Sequence, residues 1–151
     1  MGEQPSRVSG RESVEYVFVG VYERQLDERG RVALPTAFRG TIGEQWYLTF
    51  GDDGCVRLMS ADVFQRKAQQ MLDDVKSGSV SRAKERVFAS SVVVAGTDKQ
   101  GRLLIDQRLR EHAGIGQQVP VMVLGALDRV EIWEPSRYEQ QESAGLREMN
   151  E

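Results

Sequence analysis

The chain has 151 residues, of which 40% are hydrophobic and 28% charged, with a formal net charge of −3 and one cysteine. This is the balance of a soluble globular chain, large enough for one ordinary domain or two small interlocked ones, and no apolar run reaches the length of a membrane helix. The lone cysteine excludes an internal disulfide and fits a reducing cytoplasm. Overall acidity argues against nucleic-acid binding only if charge is evenly spread, and residues 134–151 alone carry five glutamates against two arginines.

Residues 1–16 mix Gly, Ser, Pro and both charges without a period and lack the apolar core of a signal peptide, which predicts a disordered extension. Tyr16 to Leu26 alternates toward a strand, with Phe18, Val21 and Tyr22 as the expected buried positions. A turn follows at Asp27-Glu28-Arg29-Gly30, and Arg31 to Leu34 is expected to return as the partner strand. Pro35 suits the first turn of a short helix over Thr36 to Arg39, ended by Gly40. Trp46 to Phe50 and Cys55 to Met59 read as strands around the Gly51-Asp52-Asp53-Gly54 turn. Ser60 is a good N-cap for a helix that sets Val63, Phe64, Ala68, Met71, Leu72 and Val75 on one face, until Ser77-Gly78 breaks it. A second helix, Ser81 to Ala89, turns Val87 and Phe88 toward the core. Its basic run Arg82, Lys84 and Arg86 reads as a solvated face.

The second half repeats the order. Ser90 to Ala95 leads into a turn at Asp98-Lys99-Gln100-Gly101, followed by a strand over Leu103 to Ile105. Asp106 caps a helix through His112, ended by Gly114. Val119 to Leu124 and Arg129 to Trp133 are strands around Gly125 to Asp128, and Pro135 starts a last helix through Tyr138. Asp98 answers Asp27. At a slightly larger offset, Val130-Glu131-Ile132 answers Val56-Arg57-Leu58 and Tyr138 answers Phe64, so the copies differ by a small insertion. The chain is therefore expected to be α+β, with pseudo-two-fold β-β-α-β-β-α repeats. The expected divisions are a first half at 17–78, a connecting helix at 79–90, a second half at 91–139 and an acidic tail at 140–151.

The duplicated turn carries the chemistry. Gly30 and Gly101 suit a positive φ, Asp27 and Asp98 can accept turn N–H groups, and Arg31 and Arg102 follow each glycine. One reading is structural, a pair of ion pairs that hold the turns in register. The other is that Arg29, Arg31, Lys99 and Arg102 grip DNA through planar or point-charge donation to phosphates and guanine edges. Neither aspartate suits acid–base catalysis, because the adjacent arginine lowers its pKa, so no catalytic residue is assigned. Cys55 reads as a small buried hydrophobe and His112 as a partner of its helix's last carbonyls. Their number and spacing make no zinc site. No Gly-Lys-Ser/Thr phosphate loop and no Gly-x-Ser-x-Gly elbow occurs, and no cofactor is expected.

The doubled Asp-x-x-Gly-Arg, preceded by Phe18-Val19-Gly20-Val21-Tyr22, resembles the MraZ proteins of bacteria over roughly Val17 to Tyr138. The resemblance implies a duplicated swapped-hairpin barrel of the AbrB and MazE kind. It also implies sequence-specific DNA binding through the turn arginines. The function implied is transcriptional regulation of the bacterial division and cell-wall gene cluster, including the protein's own promoter. The implied partners are promoter direct repeats in double-stranded DNA and other copies of the chain in a closed ring, on the cytoplasmic nucleoid. The alternative is a protein-interaction or antitoxin-like assembly module without DNA. This chain departs from the pattern at Gln100, which stands where the first copy has Arg29, and at Val19, where many relatives carry arginine. Family members typically start at the position of Val17, so the resemblance gives residues 1–16 no counterpart and makes them expendable.

Overall fold

A computed structural model of the chain describes residues 17–39 and 45–151; the expected disordered extension at 1–16 and the helix stop at Gly40 lie outside them. Strands β1 (Val21–Gln25), β2 (Arg31–Ala33), β3 (Gln45–Phe50) and β4 (Val56–Met59) lead into helices α1 (Ala61–Lys76) and α2 (Arg82–Ser91). Strands β5 (Val93–Gly96) and β6 (Arg102–Leu104), helix α3 (Gln107–Ala113), strands β7 (Pro120–Gly125) and β8 (Val130–Trp133), and helix α4 (Pro135–Met149) complete the order.

The expected mixture of strands and helices is present, but the barrel is not closed. Six antiparallel strands form one sheet in the order β1-β7-β8-β4-β3-β5, while β2 and β6 make a separate two-stranded ladder. β1 and β5 are thus the edges of the large sheet. The ladder also corrects the expected local hairpin. Arg31 to Ala33 does not pair back onto β1; it pairs with Arg102 to Leu104 of the other copy.

Exchanging each strand for the one four places away gives the same sheet order, read from the opposite edge. Register carries the same relation. Val32 pairs with Leu103, which stands to it in the chain as Asp98 stands to Asp27. Arg57 pairs with Glu131, which stands to it as Tyr138 stands to Phe64. Those are the two offsets of the sequence repeat, so corresponding residues meet each other across the middle of the molecule.

The core lies between the sheet and the β2–β6 ladder: Leu26, Val32, Leu48, Leu58, Leu103, Ile105, Val123 and Ile132 are all fully buried. Phe38 anchors the connection after β2, with its ring edge-on to Phe18 and Tyr22, each 5.5 Å away between centroids. This connection is a turn in place of the expected short helix, with Phe38 N–H donating to Pro35 O. Phe18 and Tyr22 face inward as expected, but Val21 is exposed. It falls on the opposite face of an edge strand, as the period of two requires.

The helix ends follow their caps. Ser60 Oγ accepts from Val63 N at 3.2 Å, Asp106 Oδ1 accepts from Leu109 N at 2.9 Å, and Gly114 closes α3 at φ 68°. Two expectations shift. α4 does not stop at Tyr138 but runs to Met149, and the stripe on α1 buries Val63 alone. On α2, Val87 is exposed and only Phe88 turns inward, where it stacks on Phe64.

Candidate nucleic-acid interface

The two turns are built alike, bond for bond. In the first, Asp27 Oδ1 accepts from the backbone N–H groups of Arg29 and Arg31, both at 2.9 Å, and Oδ2 accepts from Arg31 Nε at 2.8 Å. In the second, Asp98 Oδ1 accepts from the N–H groups of Gln100 and Arg102, both at 2.9 Å, and Oδ2 accepts from Arg102 Nε at 2.8 Å. Gly30 and Gly101 donate back to the carbonyl of their own aspartate at φ 82° and 77°, a region that favours glycine. The chain thus folds each Asp-x-x-Gly-Arg into a loop whose single carboxylate occupies three donors.

This wiring sets the protonation state. At Asp98 the backbone N–H of Arg102 is the largest influence, and with the Arg102 side chain it holds the carboxyl below its ordinary value. At Asp27 burial pulls the pKa up, but the N–H groups of Arg31 and Arg29 and the Arg31 side chain together outweigh it, so the net direction is again down. Both carboxylates are therefore committed, charged acceptors at neutral pH.

The two copies also reach across to each other. Leu34 N–H donates to Gly101 O at 3.1 Å, Ile105 N–H to Gly30 O at 2.9 Å, and Arg31 Nη1 approaches Asp98 Oδ2 to 3.9 Å. Two further arginines close the arrangement. Arg110 donates from Nε to Ile105 O at 3.0 Å and lies over Gly30, where a Cβ would stand 3.0 Å from that Nε. Arg39 donates to Thr36 Oγ1 at 2.8 Å and lies over Gly101, where a Cβ would collide with its Nη1. Arg39 and Arg110 occupy the same place in their respective copies, at the offset that relates Asp27 to Asp98. Each covers the turn glycine of the opposite copy.

The residues picked from sequence therefore gather around one ladder, but in two different states. The side chains of Arg29 and Lys99 are exposed at the turn tips and form no hydrogen bond or ion pair among the described residues. Arg31 and Arg102 are half-buried and tied through Nε to their aspartates. Arg39 and Arg110 lie outside the turn motif that the sequence singles out, although the offset that relates the turns relates them too.

Elsewhere, Cys55 is buried as expected, and that burial pushes its thiol up to about 12. His112 does not serve its own helix; its ring stacks on Phe50 at 4.2 Å and Nε2 pairs with Gly51 O at 2.9 Å. Among the described residues no three His, Cys, Asp or Glu side chains are grouped to hold a metal, and no helix is long and apolar enough to cross a membrane.

The described residues thus form a mixed α+β chain whose two aspartate-clamped, arginine-bearing turns are joined across the β2–β6 ladder. Comparison with known sequences narrows this. The chain is 36% identical to “Transcriptional regulator MraZ” of Finegoldia magna, with 82% of this chain and 85% of that protein covered. Proteins of the same name from Micrococcus luteus and Lachnoclostridium phytofermentans are 39% and 33% identical, covering 78% and 82% of this chain and 81% and 85% of theirs. The family described as “MraZ protein, putative antitoxin-like” matches residues 94–150. The chain belongs to the MraZ family.

Proposed function

We propose that the paired-turn face binds double-stranded DNA and that the chain is a transcriptional regulator. The observation that carries this is the pair of matched turns, each offering an unengaged tip cation, related by a two-fold that suits the two antiparallel strands of a duplex. In this reading Arg29 and Lys99 contact phosphates, while Arg31 and Arg102, oriented by Asp27 and Asp98, extend their remaining Nη donors toward the groove. Gly30 and Gly101 keep the tips tight, and Arg39 and Arg110 add positive charge behind them. Committed, charged aspartates suit this orienting role and not proton transfer, so the chain is read as a binding protein.

The names of the relatives support regulation of transcription, and the family resemblance extends it. The targets are then the division and cell-wall gene cluster and the protein's own promoter. The fold is read as the swapped-hairpin kind, supported by the β2–β6 exchange between copies, and the site of action is the nucleoid. The chain would work as a ring-like homo-oligomer on direct repeats, so that many weak turn contacts add by multivalency.

The family's antitoxin-like description favours one rival, a module that binds protein and not DNA. Salt separates the two. Affinity for the upstream DNA of the chain's own gene should fall linearly with salt on logarithmic axes, with a slope set by the phosphates contacted. A flat dependence, or no binding at low salt, would sink the DNA reading and leave the rival standing.

A further inference from the structure

The outward face of the β2–β6 ladder carries more than cations. Residues two apart on a strand share a face, and so do residues paired across an antiparallel ladder. Arg31 pairs with Leu104 and Ala33 with Arg102, so these four side chains stand on one face. Each arginine is opposite an apolar residue, and the two arginines are diagonal. Val32 and Leu103 take the other face and are fully buried. Leu104, by contrast, is 49% exposed on the ladder that joins the two turns. The fold does not require leucine there. Ala33 holds the corresponding place in the first copy, at the offset that relates Asp27 to Asp98, and it pairs in the corresponding way.

We infer that Leu104 is a specificity-determining residue that packs against the 5-methyl group of a thymine in the major groove. The major groove admits a two-stranded β-ribbon and displays that methyl group, and the minor groove does neither. Arg31 and Arg102, held at Nε by Asp27 and Asp98, bracket the same face and supply the charge that draws it onto the duplex. Opposite residues of an antiparallel pair have Cβ atoms about 5 Å apart, so Leu104 meets the duplex beside the bases that Arg31 reaches. An exposed leucine gains by leaving water against another apolar group, and the thymine methyl is the apolar group that the groove offers. Ala33 is too short to make the same contact at the two-fold-related place. That difference matters for direction. An unbroken two-fold reads an inverted repeat, the same on both strands. Leucine on one side and alanine on the other give each chain a direction along the DNA, as direct repeats demand. This deepens the DNA-binding reading and rests on it.

The test uses the full chain and the upstream DNA of its own gene, with thymines replaced by deoxyuridine one position at a time. Each replacement removes a methyl group and nothing else. At the contacted thymine the parent's affinity should fall about fourfold, the value of one methyl group withdrawn from water, with the salt slope unchanged. Leu104→Ala should bind thymine and deoxyuridine DNA alike at that position, and Leu104→Met, which keeps an apolar contact, should retain a preference for thymine. The position is exposed, and thermal melting checks that both variants fold. A parent that binds with its salt slope but ignores every replacement overturns this inference and leaves the DNA reading standing, as does Leu104→Ala responding like the parent. A parent that does not bind the unmodified DNA sinks both.

Discussion

Val32 on β2 pairs across the ladder with Leu103 on β6, the residue that holds its own place in the other copy. Both are fully buried, so the β2–β6 ladder is at once the centre of the core and the seam between repeats. The turns built on it inherit that position and cannot move apart without opening the core.

One consequence concerns cooperativity. Leu103→Ala should cost about 2–5 kcal/mol, the usual range for a buried leucine. Because the seam is shared, the variant should still unfold in one transition rather than losing its second half first. Urea unfolding followed by tryptophan fluorescence and by far-UV circular dichroism checks this, since Trp46 and Trp133 lie in different copies. Two separated transitions would show that the halves are independent.

The turn glycines should respond differently to repair. Gly30→Ala and Gly101→Ala each force a side chain into positive φ, at about 1–3 kcal/mol. At Gly101 the added Cβ also meets the Arg39 guanidinium, a movable group, so Arg39→Ala should recover part of the loss. At Gly30 the Cβ would stand 3.1 Å from Ile105 O as well as against Arg110, and the backbone carbonyl cannot swing away. Arg110→Ala should therefore rescue Gly30→Ala less. Equal rescue of the two in melting experiments would contradict this crossed arrangement.

The local parts of this arrangement are legible in the sequence, and the long-range parts are not. Ser60, Asp106 and Gly114 announce their helix ends because capping is decided within a turn or two of chain. The aspartate-glycine-arginine loop is legible for the same reason. The partner of β2 is not, because so short a strand gives no pattern that prefers its neighbour to a segment in the other half of the chain. Val63 to Val75 show the opposite failure. Their period reveals an apolar face on α1, but periodicity cannot say what covers it, and here the chain itself covers it only in part. The length of α4 is hidden because its polar residues carry no stripe that separates a helix from an acidic tail. Arg39 and Arg110 are within reach once the repeat offset is carried past the turn to every charged residue.

Acid should loosen the turns before the core. The carboxyls of Asp27 and Asp98 lie below their ordinary 3.8 in the folded chain, so the folded state releases protons more readily than the unfolded one. Their contribution is then present in full above 3.8 and is lost as the pH falls through the lower folded values. The doubly substituted Asp27→Asn, Asp98→Asn chain should be less stable than the parent at neutral pH. The gap, measured by urea unfolding at a series of pH values, should close below 3.8. A gap that stays constant into acid would show that the carboxylate charge contributes nothing.

Cys55 offers a probe of global opening. Its thiol is buried and pushed up to about 12, so the thiolate that reacts is scarce at neutral pH and hidden as well. Labelling by a thiol reagent should be slow in the native chain and track the unfolding transition in urea. Fast labelling without denaturant would mean that the β4 end of the sheet opens locally.

The four candidate cations should separate by two readouts taken together. Arg29→Ala and Lys99→Ala remove side chains that bond to nothing among the described residues, so each should leave the melting temperature unchanged and reduce the salt slope of DNA binding by about one. Arg31→Ala and Arg102→Ala also strip a guanidinium from a carboxylate that is tied to the turn. They should weaken binding and lower the melting temperature, and Arg31 should be the costlier because it also approaches Asp98 at 3.9 Å. Lysine at either place keeps the charge but not the Nε geometry, so Arg31→Lys should recover the salt slope more than the stability. If all four alanine variants bind with the parent's affinity and slope at physiological salt, the paired turns are not the DNA-binding face.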